Sequence, residues 1–224
     1  MALPGRSAVK ELDPAFAEMA AVSFRLAQSG PELTAREAAL VNLVADVCEQ
    51  TLGMPFELHV QSALETGLDA DDLRELIRFV SYDSGYPAAL AALERLAEVE
   101  RTHGLPGPAG PVPEVDASGT GSQIPAEVRA QASALDQGFA DYMDLQSRIR
   151  AGISRFTGRE RAFATLTVDV LYQTLQESFE AHVGRALTAG ATPAQIRAVV
   201  RATAPFGMAR TWRALIVLGT VLTD

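Results

Sequence analysis

One segment of this chain occurs twice, and no other feature constrains the fold as strongly. Residues 34–67 and 157–190 lie 123 positions apart, align without a gap and agree at 17 of 34 positions. A repeat of this length is one structural unit used twice, so we expect two copies stacked around a pseudo-twofold axis. The identical positions, charged and apolar alike, include the pairs Arg36/Arg159, Glu37/Glu160, Asp46/Asp169, Gln50/Gln173, Phe56/Phe179, Glu57/Glu180, His59/His182 and Gly67/Gly190.

Helix signals dominate the local sequence. Thr34 and Glu37 have the spacing of a capping box, and the second copy repeats that spacing. Asp13 followed by Pro14 is typical of a helix start, whereas Gly67 is a natural helix terminator. No segment shows the strict alternation of a surface strand, so the predicted fold class is all-α. The predicted helices are residues 14–28, 35–52, 55–67, 70–80, 88–101 and 209–222.

The two copies are separated by a segment of different composition. Residues 104–123 are rich in Gly, Pro and Ser and carry few apolar side chains, as in a flexible or polyproline-like linker. We therefore divide the chain into a first helical repeat, a linker and a second, diverged repeat, with bounds 1–101, 102–123 and 124–224.

Composition limits the classes of partner. Apolar residues make up 48% of the 224 positions and the formal net charge is −9, which argues against nucleic acid and against an anionic membrane. No apolar run is long enough to span a membrane, and the first residues lack the apolar region of a secretion signal, so we expect a cytoplasmic protein. Cys48 is the single cysteine, which excludes intramolecular disulfides and cysteine-based zinc sites.

Two of the three histidines occupy equivalent positions in the repeat, and this coincidence is the starting point for function. His59 and Glu57 lie about 160° apart on their helix, because successive residues differ by about 100°, so the two side chains cannot pair along one helix face. A histidine on an apolar face is either a satisfied core residue or an acid–base group, and duplication alone does not distinguish the two. No HExxH or related spacing exists, so we predict no metal site.

A family resemblance becomes visible in the first copy. Four segments carry it: Leu33-Thr-x-Arg36-Glu37, Glu57-Leu58-His59-Val60-x-x-Ala63-Leu64-x-x-Gly67, Leu73-Arg-Glu-Leu-Ile77 and Tyr82-x-x-Gly85-Tyr86-Pro87-Ala88-Ala89. This pattern resembles the carboxymuconolactone decarboxylase family, which belongs to the alkylhydroperoxidase-D-like superfamily. The similarity covers residues 33–96 and, more loosely, 156–218, where the counterparts of Tyr82 and Pro87 are lost. The resemblance implies an all-α chain of two tandem repeats, similar to a fused dimer, that forms a homo-oligomer: a trimer of two-repeat chains or a dimer.

The peroxidase-like branch of that superfamily uses a Cys-x-x-Cys pair before the histidine and an upstream glutamate. None of these redox residues is present in either repeat. The corresponding positions are occupied by Leu52, Pro55 and Leu40 in the first repeat and by Leu175, Ser178 and Phe163 in the second. Cys48 lies outside the pattern on an apolar helix face, where it is most simply a core residue. Thiol peroxidase activity is therefore the least favoured function, since thiolate chemistry needs an activated, accessible cysteine.

The decarboxylase-like branch implies an enzyme without a cofactor. It would act on a small or medium organic acid or lactone by decarboxylation or a related proton transfer (isomerisation, dehydration or cyclisation), in a bacterial biosynthetic pathway. We predict His59, Glu57, Tyr82 and Tyr86 as catalytic residues and Arg36, Glu180 and His182 as substrate-binding residues, with the working site in the first repeat. Each also has a structural alternative: a buried histidine, a helix-start carboxylate, a packed tyrosine or a surface arginine. The main alternative function is a non-catalytic protein that binds a small molecule or serves in assembly.

Overall fold

The computed structural model describes residues 6–112, 114–115 and 121–222, and within them the chain is helical with no β-strand. The all-α prediction is confirmed. The helices are α1 (Arg6–Leu12), α2 (Pro14–Ala27), α3 (Ala35–Glu49), α4 (Met54–Glu65), α5 (Ala70–Ser84), α6 (Tyr86–His103), α7 (Ala126–Leu135), α8 (Gln137–Ala151), α9 (Gly158–Tyr172), α10 (Glu177–Thr188), α11 (Pro193–Ala202) and α12 (Met208–Val221), with a short 3₁₀ turn, η1 (Ala204–Phe206), before α12.

Capping side chains set several helix starts where the sequence predicted them. The side chains of Thr34 and Thr157 each accept a hydrogen bond from the backbone N–H of the glutamate three residues later. The side chain of that glutamate in turn accepts a hydrogen bond from the backbone N–H of the threonine. Asp69 and Thr192 form further capping boxes at the starts of α5 and α11. Each box satisfies two backbone donors that a helix start otherwise leaves unpaired.

Helix α3 ends earlier than predicted, and α9 ends in the same way. Helix α3 ends at Glu49 rather than Leu52, because Gln50 adopts a left-handed conformation with φ of 55°. Its counterpart Gln173 has φ of 58°. Each glutamine side chain donates to a carbonyl of its own helix and to one at the start of α6 or α12, which offsets the cost of a left-handed non-glycine residue. The duplication thus extends to an unusual backbone detail.

The described residues form two compact units. The first contains residues up to Pro108 together with Thr157 onwards, and the second runs from Ala109 to Phe156. Within the second unit, α7 and α8 pair as a hairpin, joined by an ion pair of Arg129 with Asp144 at 2.8 Å. The Gly/Pro-rich segment holds no helix between His103 and Ala126 in its described part; residues 113 and 116–120 lie outside that part.

Helices α3 and α9 pack against each other in the core of the first unit. Each buries eleven of its fifteen residues, and the two sets coincide position for position at the repeat offset. A helix buried all round belongs in a core, which explains why its sequence is apolar on every face. Reciprocal ion pairs join the two helix starts: Arg36 binds Glu160 and Arg159 binds Glu37, each at 2.7 Å. Such a two-way exchange is the signature of a twofold-related interface.

Candidate functional site

A histidine–aspartate pair links α4 to the core helix α3. The Nδ1 atom of His59 lies 2.6 Å from Oδ2 of Asp46, a carboxylate that is fully buried. The Thr51 hydroxyl donates to the other carboxylate oxygen at 2.7 Å. A buried carboxylate requires such donors, because burial without them costs several kcal/mol. Since an ionised carboxylate can only accept, the proton of a neutral His59 lies on Nδ1 and the lone pair lies on Nε2.

The second repeat carries the same arrangement. His182 Nδ1 lies 2.5 Å from Oδ2 of Asp169, and the Thr174 hydroxyl donates to Oδ1 at 2.7 Å. Ser178 adds a third donor to that carboxylate at 2.8 Å, at the position that Pro55 occupies in the first repeat. The two imidazoles are similarly covered, with 12% and 13% of the side chain exposed.

Both Nε2 atoms remain available for chemistry. Within the described part of the chain, neither accepts or donates a hydrogen bond, and neither is buried without a partner, so both reach solvent. An imidazole oriented by a carboxylate on one nitrogen and open on the other is a proton-transfer group held in a defined tautomer. The geometry therefore supports acid–base chemistry in either repeat.

The surroundings of His59 distinguish the first site. The ring centroid of His59 lies 5.9 Å from that of Phe24 on α2 and 6.1 Å from that of Phe206 in η1. The two phenyl rings meet edge to face at 6.0 Å. His59 is therefore bound by a carboxylate and contacted by two aromatic rings.

A cleft of about 1000 Å³ opens beside His59, between α4 and the N-terminal helices α1 and α2. Its walls are mainly apolar and include Ala17, Ala21 and Phe24 on one face of α2. Lys10 and Arg25 add cationic groups to the lining, alongside acidic ones. A concave, largely apolar space with a few polar groups is the usual form of a small-molecule site.

The other predicted catalytic residues of the first repeat lie away from this cleft. Glu57 forms an ion pair with Arg95, and its carboxylate lies 3.6 Å from Nε2 of His103, so it joins α4 to α6. Tyr82 is partly buried near the end of α5, and Tyr86 is half-exposed at the first position of α6. None of the three is among the described residues that line the cleft, so the structure does not bring them together with His59.

The predicted substrate-binding residues are dispersed as well. Arg36 pairs with Glu160 at 2.7 Å and lies 3.7 Å from Asp72, at the junction of the two repeats. Glu180 is exposed on α10, two residues before His182. Their roles towards a substrate stay predictions.

The partners of the histidines were missed by reasoning from the sequence. Asp46 and Asp169 were recognised as matched positions but received no role. A signal existed: each is a charged residue inside an otherwise apolar stretch, and such a residue is retained in a core only with a specific partner. Phe24 and Phe206 carried no comparable signal, because an aromatic residue near a helix end usually only packs.

Cys48 is buried on α3, and burial raises the pKa of its thiol to about 12. The thiol is therefore protonated near neutral pH, whereas peroxide reduction requires a thiolate. Elsewhere, the described residues hold no group of three or more His, Cys, Asp or Glu side chains placed to bind a metal ion. In the same residues, no helix combines the length and apolar character needed to cross a bilayer.

Comparison with known proteins agrees with the helical repeat architecture. The sequence matches the carboxymuconolactone decarboxylase family over residues 11–98 and again over residues 138–219. The chain therefore belongs to this family and contains its domain twice. No protein with a curated description matches the sequence.

A solved structure extends the likeness to nearly the whole chain. It is the crystal structure of a protein from Burkholderia xenovorans LB400 that bears the provisional name gamma-carboxymuconolactone decarboxylase subunit. The two chains are 20% identical, with a TM-score of 0.57, and the match covers 99% of this chain and 92% of the other. At this identity the likeness establishes the fold alone.

Proposed function

We propose that this chain is a cofactor-independent enzyme that moves a proton to or from carbon in an organic acid or lactone. The observation that carries the proposal is the His59–Asp46 pair at the edge of an apolar cleft. The family to which the chain belongs supports decarboxylation as the leading reaction, with isomerisation, dehydration and cyclisation as related alternatives. The provisional name of the structural neighbour points in the same direction.

The proposed step needs an acid and a place for negative charge. When a carbon–carboxylate bond breaks, CO₂ leaves and its electron pair enters the conjugated carbonyl system of the substrate. The new carbanion then takes a proton from Nε2–H of a protonated His59, and Asp46 stabilises that cation through Nδ1–H. For an isomerisation, neutral Nε2 first removes a proton from carbon and then returns it to another carbon.

The substrate carboxyl requires a cation, and the cleft offers Arg25 and Lys10 for this role. Arg36, which the sequence favoured, is occupied by Glu160 at the junction of the repeats and would need to exchange partners to bind a carboxylate. Glu57, Tyr82 and Tyr86 lie outside the cleft lining and enter the proposal only as supports of the surrounding helices.

The test compares the two histidines, because each is bound by an equivalent aspartate and their burial is nearly equal. Purified protein is incubated with a panel of β,γ-unsaturated and lactone-conjugated carboxylic acids, and CO₂ release and product formation are measured. We expect turnover by the wild type, a loss of about 10²–10⁴-fold in His59→Gln, and near-normal turnover in His182→Gln. Equal activity of all three proteins would refute the assignment of His59.

A second candidate is a protein that binds a small molecule without converting it. The size of the cleft favours it, since about 1000 Å³ exceeds what a small lactone fills. In that case a ligand would stabilise the wild type and His59→Gln equally, and no acid on the panel would be turned over. The cytoplasmic location and the biosynthetic setting stay predictions.

We also propose that the chain self-associates. Met208, Trp212 and Ile216 follow one another at four-residue spacing on α12 and are more than half exposed. Tyr86 and Leu90 form the equivalent stripe on α6. Exposed apolar stripes of this kind are typical of subunit interfaces. Light scattering of the wild type should give a molar mass that is a multiple of 23.8 kDa, and Trp212→Glu should lower that mass. A monomeric wild type would contradict the proposal.

A further inference from the structure

Phe206 reaches the first repeat's histidine although it belongs to the second repeat. Its ring centroid lies 6.1 Å from that of His59 and 6.0 Å from that of Phe24. Each repeat has a glycine just before its last helix, Gly85 or Gly207. Counted from these glycines, the first repeat has Ser84 in the position of Phe206, where α5 is still helical. In the second repeat α11 already ends at Ala202, and the chain turns through η1. The two repeats therefore differ at the segment that contacts His59.

Several contacts fix η1 in position. Arg210 donates to the Phe206 carbonyl at 2.7 Å and forms a two-pronged ion pair with Glu49 of α3 at 2.6 and 2.8 Å. Gly207 adopts φ of +158°, a backbone conformation that residues with a side chain rarely adopt. The Thr203 and Thr211 hydroxyls share a buried hydrogen bond across the turn at 2.8 Å.

The second repeat also anchors the helix that carries the other ring. Arg201 of α11 donates to the Ala27 carbonyl at 3.1 Å and to the Ser29 carbonyl at 2.5 Å, at the C-terminal end of α2. Helix α2 also packs against η1 and α11. Both phenyl rings beside His59 are thus placed by residues of the second repeat.

We infer that the second repeat completes the site of the first one, with Phe206 as a positioning residue for His59. Asp46 fixes one edge of the imidazole, and the phenyl rings of Phe206 and Phe24 limit its rotation and keep water from its flank. The catalytic meaning of this inference rests on the proposed function, whereas the positioning itself does not.

The first test is spectroscopic and needs no substrate. The imidazole C–H resonances of the three histidines are assigned by NMR with single His→Gln variants. Replacing Phe206 by Leu removes its ring-current contribution at His59 and leaves that of Phe24, so the His59 resonances should move while those of His182 stay. Phe206→Tyr keeps the ring and should restore them, and Ser84→Ala, the matched change in the first repeat, should leave them unchanged. Unmoved His59 resonances in a folded Phe206→Leu protein would overturn the inference.

The second test measures access to Nε2 with diethylpyrocarbonate, which modifies neutral imidazole. Phe206→Leu should raise the modification rate of His59 several-fold relative to that of His182, and Phe206→Tyr should reverse the change; equal rates in all three proteins would contradict positioning. If Phe206→Leu does not fold, Phe206→Met serves in its place.

Once a substrate is known, Phe206→Leu should lower kcat by about 10–100-fold with little change in KM. If the resonances and modification rates change as expected but His59→Gln retains full turnover, positioning stands and the proposed function fails. If turnover depends on His59 but the resonances and rates do not depend on Phe206, the proposed function stands and this inference fails.

Discussion

Deleting each buried carboxylate in turn would test whether the two histidine sites are built as the contacts indicate. Asp46 accepts hydrogen bonds from Thr51 and His59, whereas Asp169 accepts the equivalent two and a third from Ser178. Asp46→Ala and Asp169→Ala remove the same atoms from equally buried positions on equivalent helices. The lost volume and the relief of charge burial therefore contribute equally to the two changes in the free energy of unfolding. The difference between these changes reports the hydrogen bond from Ser178.

The expected magnitudes follow from the donors left without an acceptor. A hydrogen bond to a charged group contributes about 1.5–3 kcal/mol, and burial of the carboxylate offsets part of the sum, so Asp46→Ala should cost about 2–4 kcal/mol. Because Ser178 is exposed and water can replace its lost acceptor, Asp169→Ala should cost about 0.5–1.5 kcal/mol more. In a Ser178→Ala background this excess should disappear.

Urea unfolding followed by far-ultraviolet circular dichroism gives the free energies, with midpoints compared at a common slope. The two single variants and the double variant at Asp169 and Ser178, together with Asp46→Ala and the wild type, complete the comparison. The reasoning would be refuted if Asp46→Ala were as costly as Asp169→Ala. It would also fail if the difference between them persisted after Ser178 was removed.

Three further predictions concern the helical scaffold. Burial opposes ionisation of Glu160, but hydrogen bonds at the start of α9 and the ion pair with Arg36 outweigh it and lower its pKa. Ionised Glu160 therefore stabilises the folded state above its ordinary pKa of 4.5, and this contribution is lost as the pH falls through the lower pKa of the folded state. We expect Glu160→Gln to lower the free energy of unfolding by about 1–2 kcal/mol at neutral pH and by progressively less in acid. Urea unfolding at several pH values measures this. Because burial raises the pKa of Cys48 to about 12, its thiol should react with Ellman's reagent only on unfolding; fast reaction of native protein would contradict this. Gln50→Gly relieves left-handed strain but loses two hydrogen bonds, so its melting temperature should change little, whereas Gln50→Ala, which loses the bonds and keeps the strain, should melt several degrees lower.

Much of the fold could be predicted from the sequence because its determinants are local. A capping box needs two residues three positions apart, and the sequence shows both. The helix boundaries that were missed depended on longer contacts. Gln50 ends α3 early because its side chain reaches a carbonyl on α6, 38 residues away, and no local pattern reveals that bond.

The site was harder to predict than the fold. His59 was identified from the repeat, and the helical geometry correctly separated it from Glu57. Its partner Asp46 lies 13 residues away on another helix, and only the packing of α4 against α3 brings the two together. Arg36 illustrates the same limit: its partner Glu160 is 124 residues away, at the start of α9.

Local patterns in the sequence are enough to identify this protein as a duplicated all-α chain of the carboxymuconolactone decarboxylase family, with a histidine at matching positions of both copies. Periodicity, capping and repetition are properties of neighbouring residues, so they can be read without coordinates. Long-range packing, by contrast, sets which carboxylate binds each histidine and brings Phe206 of one repeat into contact with His59 of the other. These contacts arise from packing between segments far apart in the chain, where small differences in helix ends decide which side chains meet.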